Sequence, residues 1–145
     1  FFAMNKPSVY NSTDKHIILK KLLNDEMGEN KNNSTYVQAC YNEFNQAIDF
    51  IYDKIGDEAF FNLQKDLTIL RKRFYPTIYD ALMIATSIAL KRGYQIKDGE
   101  NLADKRMALL KDEMFRESIT QGTMQVQHIH TRIDKTLEYI YGMHL

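Results

Sequence analysis

The sequence predicts an all-α protein, an irregular bundle of about five to seven helices around one nearly all-apolar helix. Three observations carry that prediction. Apolar residues recur at spacings of three and four, the helical period, through most of the 145 residues. The chain has only two prolines and six glycines, too few for a turn-rich β fold. Strand-like alternation is nearly absent. The length is that of one domain, so residues 1–145 read as a single helical unit with a sizeable core.

The elements follow in chain order. The opening Phe1-Phe2-Ala3-Met4 is apolar and has no initiator Met before it. Chain ends are usually polar and frayed, so this reads as a cut edge and the chain as the C-terminal piece of a longer protein. Ser12, Thr13 and Asp14 offer N-caps for a first helix with Ile17, Ile18, Leu22 and Leu23 as its apolar face and Gly28 as its stop. Residues 29–33 are a polar linker. Ser34 caps a second helix that Gly56 ends. Its stripe is Val37, Cys40, Tyr41, Phe44, Ile48, Ile51, Tyr52 and Ile55, opposite Gln38, Asn42, Asn45 and Asp49. Cys40 reads as a small buried hydrophobe.

Residues 57–61 suggest a single helical turn. Leu67 to Phe74 follows and contains Arg71-Lys72-Arg73. Pro76 suits the first turn of a third helix, which runs to about Arg92 with Gly93 as its stop. Ile78, Ala81, Leu82, Met83, Ile84, Ala85, Ile88, Ala89 and Leu90 wrap most of its circumference, so it is expected at the centre. A fourth helix spans Leu102 to Lys111. Asp112 caps a short fifth, with Met114, Phe115 and Ile119. After Gly122, Thr123 caps the last helix, striped by Val126, Ile129, Ile133, Leu137 and Ile140.

Composition bounds the function. Nineteen basic residues balance nineteen acidic ones, so a nucleic-acid role must rest on a local patch. A single cysteine excludes an internal disulfide and points to a reducing, cytoplasmic setting. No apolar run reaches the roughly 20 residues of a membrane span, so no membrane partner is expected.

Two clusters are candidate sites. Arg71, Lys72 and Arg73, followed by Phe74-Tyr75, can contact phosphate and stack on bases; the same residues also suit a solvated helix end before a proline. His128 and His130 with Arg132 form the other. Metal-binding histidines on a helix prefer spacings of three or four; two apart, these rings diverge by about 200°. A phosphate or domain contact by Arg132 fits better. His16 and His144 stand alone. No phosphate loop, nucleophile elbow or His-Glu-x-x-His segment occurs. No catalytic residue, metal or cofactor is therefore expected.

The order of local motifs carries a resemblance. The opening Phe1-Phe2-Ala3-Met4-Asn5 precedes Leu22-Leu23-Asn24-Asp25-Glu26-Met27. Gly56-Asp57-Glu58-Ala59-Phe60 and Arg73-Phe74-Tyr75-Pro76-Thr77-Ile78-Tyr79-Asp80-Ala81-Leu82 follow. Phe115-Arg116-Glu117-Ser118-Ile119-Thr120-Gln121-Gly122-Thr123, Val126 and Arg132-Ile133 close the series. Along nearly its whole length the chain resembles the helical C-terminal half of the domain-of-unknown-function 262 (DUF 262) family, which includes parts of GmrSD-type, modification-dependent restriction systems. The resemblance implies an N-terminal ParB-like half with an Asp-Gly-Gln-Gln-Arg motif, associated with nucleotide hydrolysis coupled to DNA cleavage in phage defence. That motif is absent here, and no catalytic residue carries over. What the resemblance leaves is a non-catalytic module packed on the ParB-like half, with Arg132 and Phe74-Tyr75 nearest a nucleotide pocket or DNA-facing surface. Two other classes stand beside it. One is an autonomous DNA-binding domain tracking phosphates with Arg71, Lys72, Arg73, Lys91, Arg92 and Lys97. The other is a homo-oligomeric interaction protein using the first helix or the Phe1-Phe2 edge.

Overall fold

A computed structural model describes all residues, 1–145. It has seven α-helices, a π-helical segment and one two-stranded antiparallel hairpin. The protein is thus mostly helical, but not strictly all-α.

The N-terminal residues fold back onto the body. Phe1 and Phe2 stack edge-on against Phe44, with ring centres 5.8 and 6.1 Å away, and Ala3 and Met4 are buried. A four-residue helix α1 (Pro7–Tyr10) follows, with proline in its first turn. Residues 11–18, where a helix start was expected, are held otherwise. Ser12 Oγ accepts from Asp14 N in a local turn. Residues 15–17 then run antiparallel to residues 124–126, with Ile17 N donating to Met124 O at 2.8 Å and Val126 N to Lys15 O at 3.1 Å. Helix α2 (Leu19–Asn30) therefore begins later, without a side-chain cap, and runs through Gly28.

Asn33, one residue before the expected cap, caps α3 (Ser34–Lys54) by accepting from Tyr36 N at 3.0 Å. Gly56, at φ 101°, ends the run. Residues 57–60 form turns, not a helix. The basic run, which also suited a helix end, lies instead in a hairpin of β1 (Phe61–Leu63) and β2 (Leu70–Phe74), pairing Phe61 with Phe74 and Leu63 with Leu70. Its physical cause lies in Pro76, which biases the residue before it to extended backbone. Tyr75 takes φ −118°, ψ 108°, and its N–H bonds Phe60 O at 3.0 Å.

Helix α4 (Pro76–Lys91) has ten of its sixteen residues buried, from Ile78 to Ala89. It packs against α3, α7 (Val126–Thr136) and the π-helical segment Leu137–Tyr141. Asn101 and Asp112 cap α5 (Leu102–Leu109) and α6 (Glu113–Thr120) through Asp104 N and Phe115 N. Thr123 caps nothing, since α7 starts after Gln125 with no side-chain cap. The π-segment closes on Gly142 and buries Tyr141, whose hydroxyl lies 2.5 Å from Thr86 Oγ1.

Candidate functional site

The hairpin presents the densest basic cluster. Arg71, Lys72 and Arg73 are all exposed. Side chains alternate along a strand, so Arg71 and Arg73 share one face and Lys72 and Phe74 the other. Arg73 lies over the Tyr75 ring at 5.9 Å, the next residue on its own face. On the other side Phe74 joins Phe60 and Tyr79, with ring centres 5.2–6.0 Å apart. Arg71 opens into a cleft of about 570 Å³ between the hairpin and α6.

Arg106 holds this hairpin in place. It is buried, its Nε donates to Ala59 O at 2.8 Å, and its Nη2 donates to Phe61 O. Burial pushes its pKa down to about 10, with Glu58 pulling back. No motif marks this residue. Its signal was spacing: Arg106 follows Leu102 by four and precedes Leu109 by three, on the buried face of α5.

Arg132 is only 1% exposed. Its Nη1 donates to Thr123 O at 2.7 Å, its Nη2 lies 3.8 Å from Asp80, and its Nε has no partner. Burial lowers the guanidinium pKa and raises that of Asp80. A phosphate contact is thus closed to Arg132. It ties the turn before α7 to α4, and again the spacing, three after Ile129 and four before Thr136, foretells a buried face.

The histidines part company. His128 Nδ1 meets Gln121 O at 2.5 Å, whereas His130 lines a separate cavity of about 470 Å³ beside Tyr10 and Lys15. No group of three or more His, Cys, Asp and Glu side chains is placed to hold a metal ion. The six cations expected to track phosphates do not form one face. Lys91 pairs with Glu43 at 2.6 Å, and Arg92 Nη1 donates to His144 O. They sit at the far end of α4, about 22 Å from Pro76 at 1.5 Å per residue.

The first helix, one of the expected interfaces, falls on an exposed apolar side of the fold. Val37, Tyr41 and Tyr52 on α3 are 54%, 58% and 68% exposed, and Met27 on α2 is 70% exposed. Leu19 and Leu23 continue the α2 stripe, and no residue of α2 is buried. Half-buried Cys40 lines an apolar hollow of about 280 Å³ with Phe2, Met27 and Val37. A polar latch holds α2 here: Glu26 accepts from Tyr36 Oη and pairs with Lys6. Burial raises the Glu26 pKa, but these bonds outweigh it and leave the carboxyl below its ordinary range.

No helix is long and apolar enough to cross a membrane. No family model, no curated protein and no solved structure matches the chain.

Proposed function

We propose that this chain is a non-catalytic helical module whose α2–α3 face docks on another domain. The resemblance to DUF 262-like, restriction-type proteins names that domain as a ParB-like, nucleotide-hydrolysing half, which would place the module in phage defence. The observation that carries the reading is the exposure of Val37, Tyr41 and Tyr52 on α3 and of Leu23 and Met27 on the adjoining α2, with Met27 and Val37 lining one hollow. Exposed apolar side chains gathered on one side of a fold mark interaction sites. Covering each half-exposed side chain would contribute about 1 kcal/mol. Helix α2 adds support. It lacks a side-chain cap, an acid in its first turn and a base in its last, so only the Glu26 latch to Tyr36 and Lys6 and the partly buried Leu22 hold it to this chain.

Hydrogen exchange tests the proposal, comparing the chain alone with the whole product of its gene. Amides of α2 and the first half of α3 should gain protection in the whole product, and an in-frame Asp-Gly-Gln-Gln-Arg segment should precede Phe1. Equal exchange in both forms refutes docking. Docking without that segment keeps the module but removes the restriction-type assignment. Sedimentation separates self-association, since a dimer closing through this face would strengthen with protein concentration.

A further inference from the structure

The cleft between the hairpin and α6 has a composition of its own. Helix α6 buries Phe115, Ser118 and Ile119, so its opposite face carries Glu113, Arg116, Glu117 and Thr120 at helical spacing. Lys65 and Arg71 of the hairpin and Tyr75 line the same cleft. The three cations have no acid within 4.0 Å, since every ion pair in the protein lies elsewhere. Their side chains donate no hydrogen bond. Glu113 and Glu117 are equally unpaired. Water-facing charges of both signs that lack a protein partner, brought to a cleft of about 570 Å³ beside an aromatic ring, suit a ligand carrying an anion, hydrogen-bond donors and a flat apolar face. A bare polyanion would be repelled by the two carboxylates. A nucleotide has all three features, and the volume is within the range of small-molecule sites. The Arg106 clasp on Ala59 and Phe61 fixes the hairpin side of the cleft before any ligand arrives.

We propose that this cleft binds nucleotides, with successive phosphates on Lys65, Arg71 and Arg116 and a base against Tyr75. They can be consecutive units of a single strand or a free nucleoside triphosphate. The site is separate from the docking face and does not depend on that reading.

The test is fluorescence anisotropy of a labelled deoxythymidine 12-mer with the purified chain. Three phosphate contacts on a single strand give a log–log salt slope of about −2, or about 20-fold weaker binding at 200 mM than at 50 mM salt. Arg71→Ala and Arg116→Ala should each reduce the slope by about 0.7. Lys72→Ala, the same charge change on the opposite strand face, should leave it unaltered. Circular dichroism would confirm that each variant is folded. ATP competing at the cleft assigns a free nucleotide, and strand binding that ATP does not displace assigns a single strand; either result supports the proposal. Four results overturn it: no binding of strand or ATP at 50 mM salt, binding that survives both arginine substitutions, inorganic triphosphate competing as well as ATP, or a duplex binding more tightly than the single strand.

Discussion

Ala85→Asp tests the packing of α4 most directly. Ala85 is 0% exposed, and Ala81 and Ala89, one turn either side, are equally closed to water. An aspartate here would have no partner. Burial raises a carboxyl pKa by several units from about 3.9. Once the folded value reaches 7 or more, the cost at pH 7 is about 3.1 units at 1.36 kcal/mol each, or about 4 kcal/mol. Burying even the neutral carboxyl without hydrogen bonds costs about 1–3 kcal/mol more. Its extra atoms overpack the site by about 1–3 kcal/mol. The sum, about 6–10 kcal/mol, rivals the whole stability of a typical domain. The pH dependence separates charge from crowding. A raised folded pKa in an acid imposes a penalty that is absent below the unfolded value and grows as pH rises through the window up to the folded value. Urea denaturation should therefore show the gap to the parent protein narrowing by about 3–4 kcal/mol between pH 7 and pH 4. Ala85→Val, which crowds without charge, should cost about 1–3 kcal/mol at both pH values. Native-like melting of Ala85→Asp at pH 7, or an equal penalty at both pH values, refutes the reasoning.

Three other perturbations follow from particular contacts. Glu100 accepts from Lys105 Nζ, from Lys97 N at 3.0 Å and from Tyr94 Oη at 2.7 Å, and these bonds, Lys105 foremost, hold its pKa at about 2. Its depressed value stabilises the fold above the ordinary 4.5 and is lost as pH falls from there towards 2, so Glu100→Gln should flatten the acid side of a Tm-against-pH curve. Arg106→Ala removes the donor from the buried Ala59 carbonyl and the part-buried Phe61 carbonyl and opens a cavity, a loss of about 3–5 kcal/mol in urea denaturation, reduced by release of the desolvated charge. The amides of Gln64 and Tyr75 in the hairpin should exchange fastest in that variant. Glu26→Gln weakens the α2 latch, so α2 amides should exchange about tenfold faster while the global Tm hardly moves.

Helix formation was legible wherever one stripe met one buried face. The span of α3 and the Asp112 cap of α6 are where periodicity and capping chemistry put them, although of the expected α3 stripe only Ile51 is buried. Between Asp57 and Phe74 local pattern was weaker than tertiary context. Five residues, Leu70-Arg71-Lys72-Arg73-Phe74, hold too few apolar positions to separate a strand from a frayed helix end. The pairing of Phe61 with Phe74 and the Pro76 effect on Tyr75 decided it. Ser12 to Asp14 looked like a cap because nothing local records that residues 15–17 pair with residues 124–126.

The harder failure concerns which surfaces are free. Leu23, Met27, Val37 and Tyr41 have the spacing of core residues, yet lie open to water. Arg106 and Arg132 have the chemistry of surface residues, yet rank among the most buried. Periodicity reports only that a face is apolar; what covers it depends on elements distant in sequence. A buried arginine is tolerable only where carbonyls or acids meet it, as Ala59, Phe61, Thr123 and Asp80 do. Those acceptors lie between 9 and 52 positions away, and Arg106 reaches Ala59 across 47. Both proposals consequently rest on what burial leaves over. The α2 stripe is exposed, with no residue of α2 buried, and Lys65, Arg71 and Arg116 are spare because Glu113 and Glu117, which line the same cleft, form no ion pair with them. Helix α4 joins the two surfaces: its first residue follows the hairpin, and its flank packs on α3. With ten residues buried it has little room for a second arrangement, since packed interiors do not deform continuously. Docking at α2–α3 and ligand binding at the hairpin should therefore be energetically separable.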